Sequence, residues 1–221
     1  MAWQAAPWRG IRMHVLVMAK SPLPGRAKTR LCPPLTPDQA AALAEAALAD
    51  SLDAVAGCGA ERRILALDGA PGEWIPPRFE VIPQRGASFA QRLATAWRDA
   101  DGPGIQIGMD TPQISPGLLD RCLETARKPG ASAALGLAVD GGWWAIALVE
   151  RWNQDVFTGV PMSTAYTGVA QLSRLMASGH RVRRLPVLRD VDLIDDAYQV
   201  AELASTSRFA RTLRRLEPVG C

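Results

Sequence analysis

Cysteine, histidine and tyrosine are scarce in this chain, with 4 Cys, 2 His and 2 Tyr among 221 residues. Cys32, Cys58, Cys122 and Cys221 are widely spaced and form no C-x-x-C pair, and only His14 and His180 could assist them. This composition argues against a Cys/His zinc site and against a disulfide framework. A reducing cytoplasm is therefore the expected compartment. No apolar run approaches the roughly 20 residues of a membrane span, and the opening residues MAWQAAPWRGIRM lack the apolar core of a secretory signal. The expectation is a soluble protein with no membrane partner. A net charge of +3 with scattered arginines is too weak for a nucleic-acid footprint. Several catalytic signatures are also missing. No G-x-G-x-x-G follows the first apolar run, there is no G-x-S-x-G, and Gly25-Arg26-Ala27-Lys28-Thr29 carries alanine where a P-loop has glycine.

What is present suits a globular enzyme. Hydrophobic residues make up 48% and charged residues 21%, enough for a sizeable core, and no polar or Ser/Gly-rich linker divides the chain. The reading is a flexible extension over residues 1–12, with Met13 as an alternative start, followed by one domain over 13–221.

The most informative stretch is VLVMAKSPLPGRAKTRL, from Val15 to Leu31. Val15 to Met18 read as a buried strand, and Pro22, Pro24 and Gly25 then force a turn. The turn carries Lys20, Arg26, Lys28 and Arg30. Four cations in one rigid loop repel one another unless an anion lies among them, and a phosphate-bearing ligand is the natural partner. The position adds weight, because open α/β sheets bind ligands beyond the carboxyl ends of their strands.

Downstream, Thr36-Pro37-Asp38-Gln39 forms a capping box, and apolar residues from Ala40 to Val55 recur at helical spacing to predict an Ala-rich amphipathic helix ending near Gly57. Strands are expected at 64–67, 79–82, 104–108, 133–137, 143–148 and 182–185. Helices are expected at 88–97, 116–126 and 164–178, with a last one from about Leu193. This alternation predicts an α/β fold, a three-layer α/β/α sandwich on a mostly parallel sheet. Arg208, Arg211, Arg214 and Arg215 in the last segment read as a solvated helical face.

Three acidic features lie near expected strand ends. Asp110, in Gly108-Met109-Asp110-Thr111-Pro112, should project from the same sheet edge as the basic loop, and Mg²⁺ or Mn²⁺ would bridge it to a phosphate. Asp190-Val191-Asp192 and Asp195-Asp196 form a second cluster, of which one carboxylate is expected to share a metal with Asp110. Asp195 and Asp196 suit the start of the last helix. In Asp140-Gly141-Gly142-Trp143-Trp144 the glycines would admit a ligand close to the backbone and the tryptophans offer a stacking wall for a sugar or aromatic ring. A tight hairpin with one Trp in the core is the other reading. Asp140 is the expected acceptor of a substrate proton.

Taken together, AKSPLPGRAKTRL, PQRG with Arg92 downstream, GMDTP, LGLAVDGGWW, FTGVPMST and LRDVDLIDD resemble a bacterial family of small glycosyltransferases. The similarity runs from about Met13 to Phe209. It implies the GT-A, nucleotide-diphospho-sugar transferase fold. Members include arsenosugar-pathway transferases, and they are similar to nucleotidyltransferases of molybdenum-cofactor and phospholactate chemistry. The resemblance implies that Gly25, Lys28 and Arg30 hold donor phosphates and that Lys28 offsets charge on the leaving diphosphate. It places Gln84 and Gly86 at the base, Asp110 and Asp192 on a Mg²⁺ or Mn²⁺ ion, and Asp140, Gly141, Gly142 and Trp143 toward the acceptor or donor sugar. The expected activity is metal-dependent glycosyl transfer from a nucleotide sugar to a small-molecule acceptor. Nucleotidyl transfer from an NTP to a phosphorylated small molecule, and nucleotide binding without catalysis, are the alternatives.

Overall fold

A computed structural model describes residues 12–150 and 155–216. Apart from Arg12, the expected extension lies outside the described residues. Seven strands form one sheet in the order β3-β2-β1-β4-β6-β5-β7. They are β1 (His14–Lys20), β2 (Arg62–Asp68), β3 (Phe79–Pro83), β4 (Gly104–Gly108), β5 (Ala133–Leu137), β6 (Trp143–Leu148) and β7 (Val182–Arg184). β6 runs antiparallel to both β4 and β5, and every other pairing is parallel. The helices are α1 (Pro37–Gly57), α2 (Phe89–Ala100), α3 (Pro116–Ala126), α4 (Thr167–Ala177), α5 (Ile194–Leu203) and α6 (Arg208–Leu216).

The sheet is covered on both faces, giving the expected three layers. Val15, Val17, Leu65, Leu67, Ile105 and Ile107 pack with Leu48, Leu52 and Val55 of α1 and Leu119 and Leu123 of α3. The alternate residues Leu16, Met18, Ile64 and Ala66 pack with Leu93 and Trp97 of α2 and Leu175 of α4. Period-two alternation thus feeds both faces, as a two-sided sheet requires.

α1 differs from its expected form. It buries a second stripe, Ala40, Leu43 and Ala47, against Val200 of α5 and Phe209 and Leu213 of α6. The sheet on one side and α5 and α6 on the other explain why it is rich in small apolar residues rather than polar on one face. The C-terminal arginines are correspondingly less free than a solvated face would leave them. Arg208 pairs with Asp50 at 3.6 Å and with Asp53 at 2.5 Å, and Arg214 donates to the Ser205 carbonyl at 3.1 Å. α4 starts at Thr167, three residues later than expected, because Thr164 and Thr167 bond within the preceding loop. No described helix is long and apolar enough to cross a membrane.

The strand order reverses between β1 and β4. Crossovers leave from β1 to one side and from β4 to the other, so their C-terminal ends border a crevice. The loop after β1 and the Asp110 turn after β4 open into it.

Candidate functional site

The basic loop is held by its own backbone and by one buried side chain. Ala27 donates to the Leu23 carbonyl at 3.1 Å, and Lys28 takes a left-handed conformation with φ of 51°. That turn sends the Lys28 side chain inward, where it is only 9% exposed. Its ammonium lies 2.7 Å from Asp110 and 3.6 Å from Asp192, and it donates to the Val191 carbonyl. Lys28 therefore ties together the loops that follow β1, β4 and β7. Arg30, largely exposed, reaches Asp192 at 3.0 Å. Gly25 has φ of +70° and open space around it, so it serves the turn.

Asp190 and Asp192 converge. Expecting only one of them at the crevice was wrong, because residues two apart in an extended segment share a side. Val191 between them is buried at 1% exposure, and its N–H donates to the Asp110 carbonyl at 2.9 Å. Asp140 joins them from the hairpin between β5 and β6, and one oxygen from each of Asp140, Asp190 and Asp192 lies within 4.8 Å of the others. Burial, then the neighbouring Asp140, push the Asp190 carboxyl up to about 6. Three carboxylates this close repel one another, which Lys28 and Arg30 offset at Asp192 alone, and such a set of hard oxygen ligands could hold a divalent cation. Asp110 stands beside this trio and is engaged by Lys28.

Two cavities adjoin along this edge. One of about 310 Å³ is lined by Arg26, Lys28, Arg30, Gln84, Phe89 and Asp110. The other, about 510 Å³, is lined by Arg92, Gln106, Asp140, Trp143, Thr164 and Asp190, among others. Lys20, Arg30, Phe89, Asp110 and Asp192 border both.

The remaining expected positions divide. Gln84 borders the smaller cavity, but its amide nitrogen donates to the Ala19 and Ala66 carbonyls at 2.8 and 2.9 Å, stapling strand ends. Gly86, with φ of +138°, makes the turn into α2, where a Cβ would lie 2.8 Å from Gln91 Cβ. Trp143 lines the larger cavity and its ring stacks 6.1 Å from Phe157. Trp144 borders the same cavity but is only 3% exposed, and its indole N–H donates to the Pro186 carbonyl at 2.8 Å. The hairpin reading thus matches the antiparallel β5–β6 pair with Trp144 in the core, and Trp143 is the more exposed of the two at the cavity. Gly141 does not admit a ligand. A Cβ there would lie 2.1 Å from the Ala165 carbonyl oxygen, so the space belongs to the chain's own backbone. Gly142 lines the larger cavity and donates to Asp140 at 2.7 Å, which fixes the carboxylate.

Sequence reasoning set Asp190 aside and gave no role to Gln106 or Thr111. The same-side rule for D-x-D would have found Asp190. Gln106, a lone amide in the apolar strand GIQIG, was the second available signal.

The fold is an α/β sandwich similar to that of nucleotide-diphospho-sugar transferases. The chain belongs to the family described as "Uncharacterized protein conserved in bacteria (DUF2064)", whose sequence profile matches residues 36–164. No curated protein matches. Among solved structures, a candidate nucleotide-diphospho-sugar transferase from Desulfovibrio desulfuricans G20 is similar, with a TM-score of 0.80 and 24% identity over 93% of this chain and 95% of that one. Rv0371c from Mycobacterium tuberculosis H37Rv superposes with a TM-score of 0.56 and 20% identity over 87% of this chain and 98% of its own. A second structure of that protein is a manganese complex. A cytidylyltransferase from Leptospira borgpetersenii shares the fold at a TM-score of 0.54 and 11% identity, over 94% of each chain.

Proposed function

We propose that the protein is a metal-dependent glycosyltransferase that takes a nucleotide-diphosphate sugar and passes its glycosyl group to a small-molecule acceptor. The observation that carries this reading is the meeting of the basic loop and the acidic trio across two adjoining cavities, with Lys28 bonded to both sides. The smaller cavity takes the nucleotide, and its Lys28, Arg26 and Arg30 face the diphosphate. The larger one takes the sugar and acceptor against Trp143. Manganese bound by Rv0371c supports a divalent cation here.

Asp140, Asp190 and Asp192 would hold that cation, with the 4.8 Å spread of their oxygens fitting one ion. Bound there, it would act as a Lewis acid that neutralises charge on the departing diphosphate. Lys28 supplies a second positive charge, already oriented by Asp110 and Asp192, so little reorganisation is needed as charge develops. Arg30 lies at the boundary of the two cavities and can follow the diphosphate as it leaves. In this assignment Asp140 serves the cation rather than a substrate proton.

The test is to incubate the protein with a panel of nucleotide sugars and acceptors, modified-sugar precursors included, with Mn²⁺ or Mg²⁺. Release of nucleoside diphosphate with formation of a glycoside is expected. Pyrophosphate release from an NTP and a phosphorylated acceptor would replace glycosyl with nucleotidyl transfer. Nucleotide binding with no turnover across both panels would make this a binding protein.

A further inference from the structure

The larger cavity is walled by polar groups that the protein leaves without partners. Arg92 of α2 lines it, and its buried Nε has no hydrogen-bond partner among the described residues. The guanidinium lies 5.6 Å from the centroid of the Phe89 ring, which supports it by a cation–π contact. Lys20, exposed, also lines this cavity, and three other cations nearby are engaged. Lys28 bonds to Asp110, Arg30 to Asp192, and Arg85 to Asp99 at 2.6 Å.

Two further groups line the same cavity. Gln106 sits mid-strand in β4, in register with Leu16 and Ile146, which both belong to the core under α2. It is 1% exposed, as is Thr111, and both Gln106 Oε1 and Thr111 Oγ1 are buried without a partner. An unsatisfied buried polar atom costs on the order of 1–3 kcal/mol, so three around one cavity call for a polar occupant.

We propose that the molecule bound in the larger cavity is a small hydroxylated anion, carrying a phosphate or carboxylate that Arg92 binds and hydroxyls that meet Gln106 and Thr111. This rests on the reading that the cavity holds an acceptor or sugar. The planar guanidinium offers two parallel N–H donors, matched to a carboxylate or phosphate edge. Gln106 Oε1 accepts from a hydroxyl, which apolar ligands cannot supply.

Binding to the full-length protein, followed by titration calorimetry, tests this with glycerol 3-phosphate, D-glycerate and glycerol as probes and with Mn²⁺-pyrophosphate as the probe of the basic loop. At least one of the two acids should bind the wild type roughly tenfold or more tightly than glycerol, the preferred one showing whether phosphate or carboxylate is read. Arg92→Gln should lose about that factor for the acid and keep pyrophosphate within about twofold, while Arg92→Lys falls between. Gln106→Leu should weaken the acid and glycerol alike without lowering the melting temperature, since it removes an unpaired oxygen. If the wild type binds neither acid better than glycerol, or Arg92→Gln leaves the acid unchanged, or it weakens pyrophosphate equally, the inference is overturned. Wild type that binds the acid through Arg92 but neither pyrophosphate nor any nucleotide would overturn the transferase reading and leave this one standing.

Discussion

Lys28 is the residue on which the site turns. Its side chain is 9% exposed while those of its partners Asp110 and Asp192 are 37% and 35% exposed. Replacing it by methionine would leave Asp110 without its cation and Asp192 with Arg30 alone. A fully buried pair broken this way costs about 3–5 kcal/mol, and partial solvation of both acids reduces the expectation for Lys28→Met to about 2 kcal/mol. A lower denaturant midpoint at unchanged slope would report it. The acids themselves separate by a different measurement. Asp190→Asn and Asp192→Asn should each weaken Mn²⁺ binding by roughly tenfold or more, since each removes one ligand charge. Asp110→Asn should do so much less, because Asp110 faces Lys28 rather than the trio. Equal losses for all three in calorimetry would return Asp110 to the metal.

At the scale of the element, α2 matters most for what it carries. It starts from a capping box in which Ser88 Oγ accepts from Gln91 N–H and Gln91 Oε1 accepts from Ser88 N–H, both at 3.2 Å. Its apolar side, Leu93, Ala94 and Trp97, packs on the sheet, and its first turns present Phe89 and Arg92 to the cavities. Ser88→Ala should cost about 1 kcal/mol in thermal or chemical unfolding. It should leave the affinity for Mn²⁺ unchanged, because the trio belongs to other loops. Nearly all element positions were legible from apolar periodicity and caps. The antiparallel run of β6 beside β5 was legible as the hairpin reading of Asp140-Gly141-Gly142, but its pairing with β4 was not, since an apolar run does not name its neighbour. The loop at 164–166 was misread as helix because Thr164 and Thr167 satisfy each other in a turn, a local competition that periodicity does not register.

For the whole molecule, one buried group links stability to pH. His14 is 3% exposed and packs on Trp97 with ring centroids 5.4 Å apart. A Cβ on Gly104 would lie 2.3 Å from His14 Nε2, so glycine there makes room for the imidazole. Burial, helped by Arg62, lowers the His14 pKa from 6.5 to about 4. The unfolded chain takes up a proton near the ordinary value while the folded chain refuses it until about pH 4. Stability is therefore full above the ordinary value and falls as pH drops through that window, by an amount on the order of 3 kcal/mol. His14→Phe should flatten this slope when unfolding free energies of the two proteins are compared between pH 7 and 4. A constant difference between them would show that His14 does not carry it.

Local chemistry in the sequence determined the α/β alternation, the helix caps, the turn after β1 and the presence of cations and acids at strand ends, because each depends on residues a few positions apart. Tertiary structure alone decided the partnerships. Lys28 meets Asp110 and Asp192 across 82 and 164 positions. Asp140 comes to Asp190 from a separate hairpin, and the space beside Gly141 goes to Ala165 rather than to a ligand. The reason is that distances between loops are set by strand order, and the reversal between β1 and β4 that opens the crevice arises from how whole strands pair.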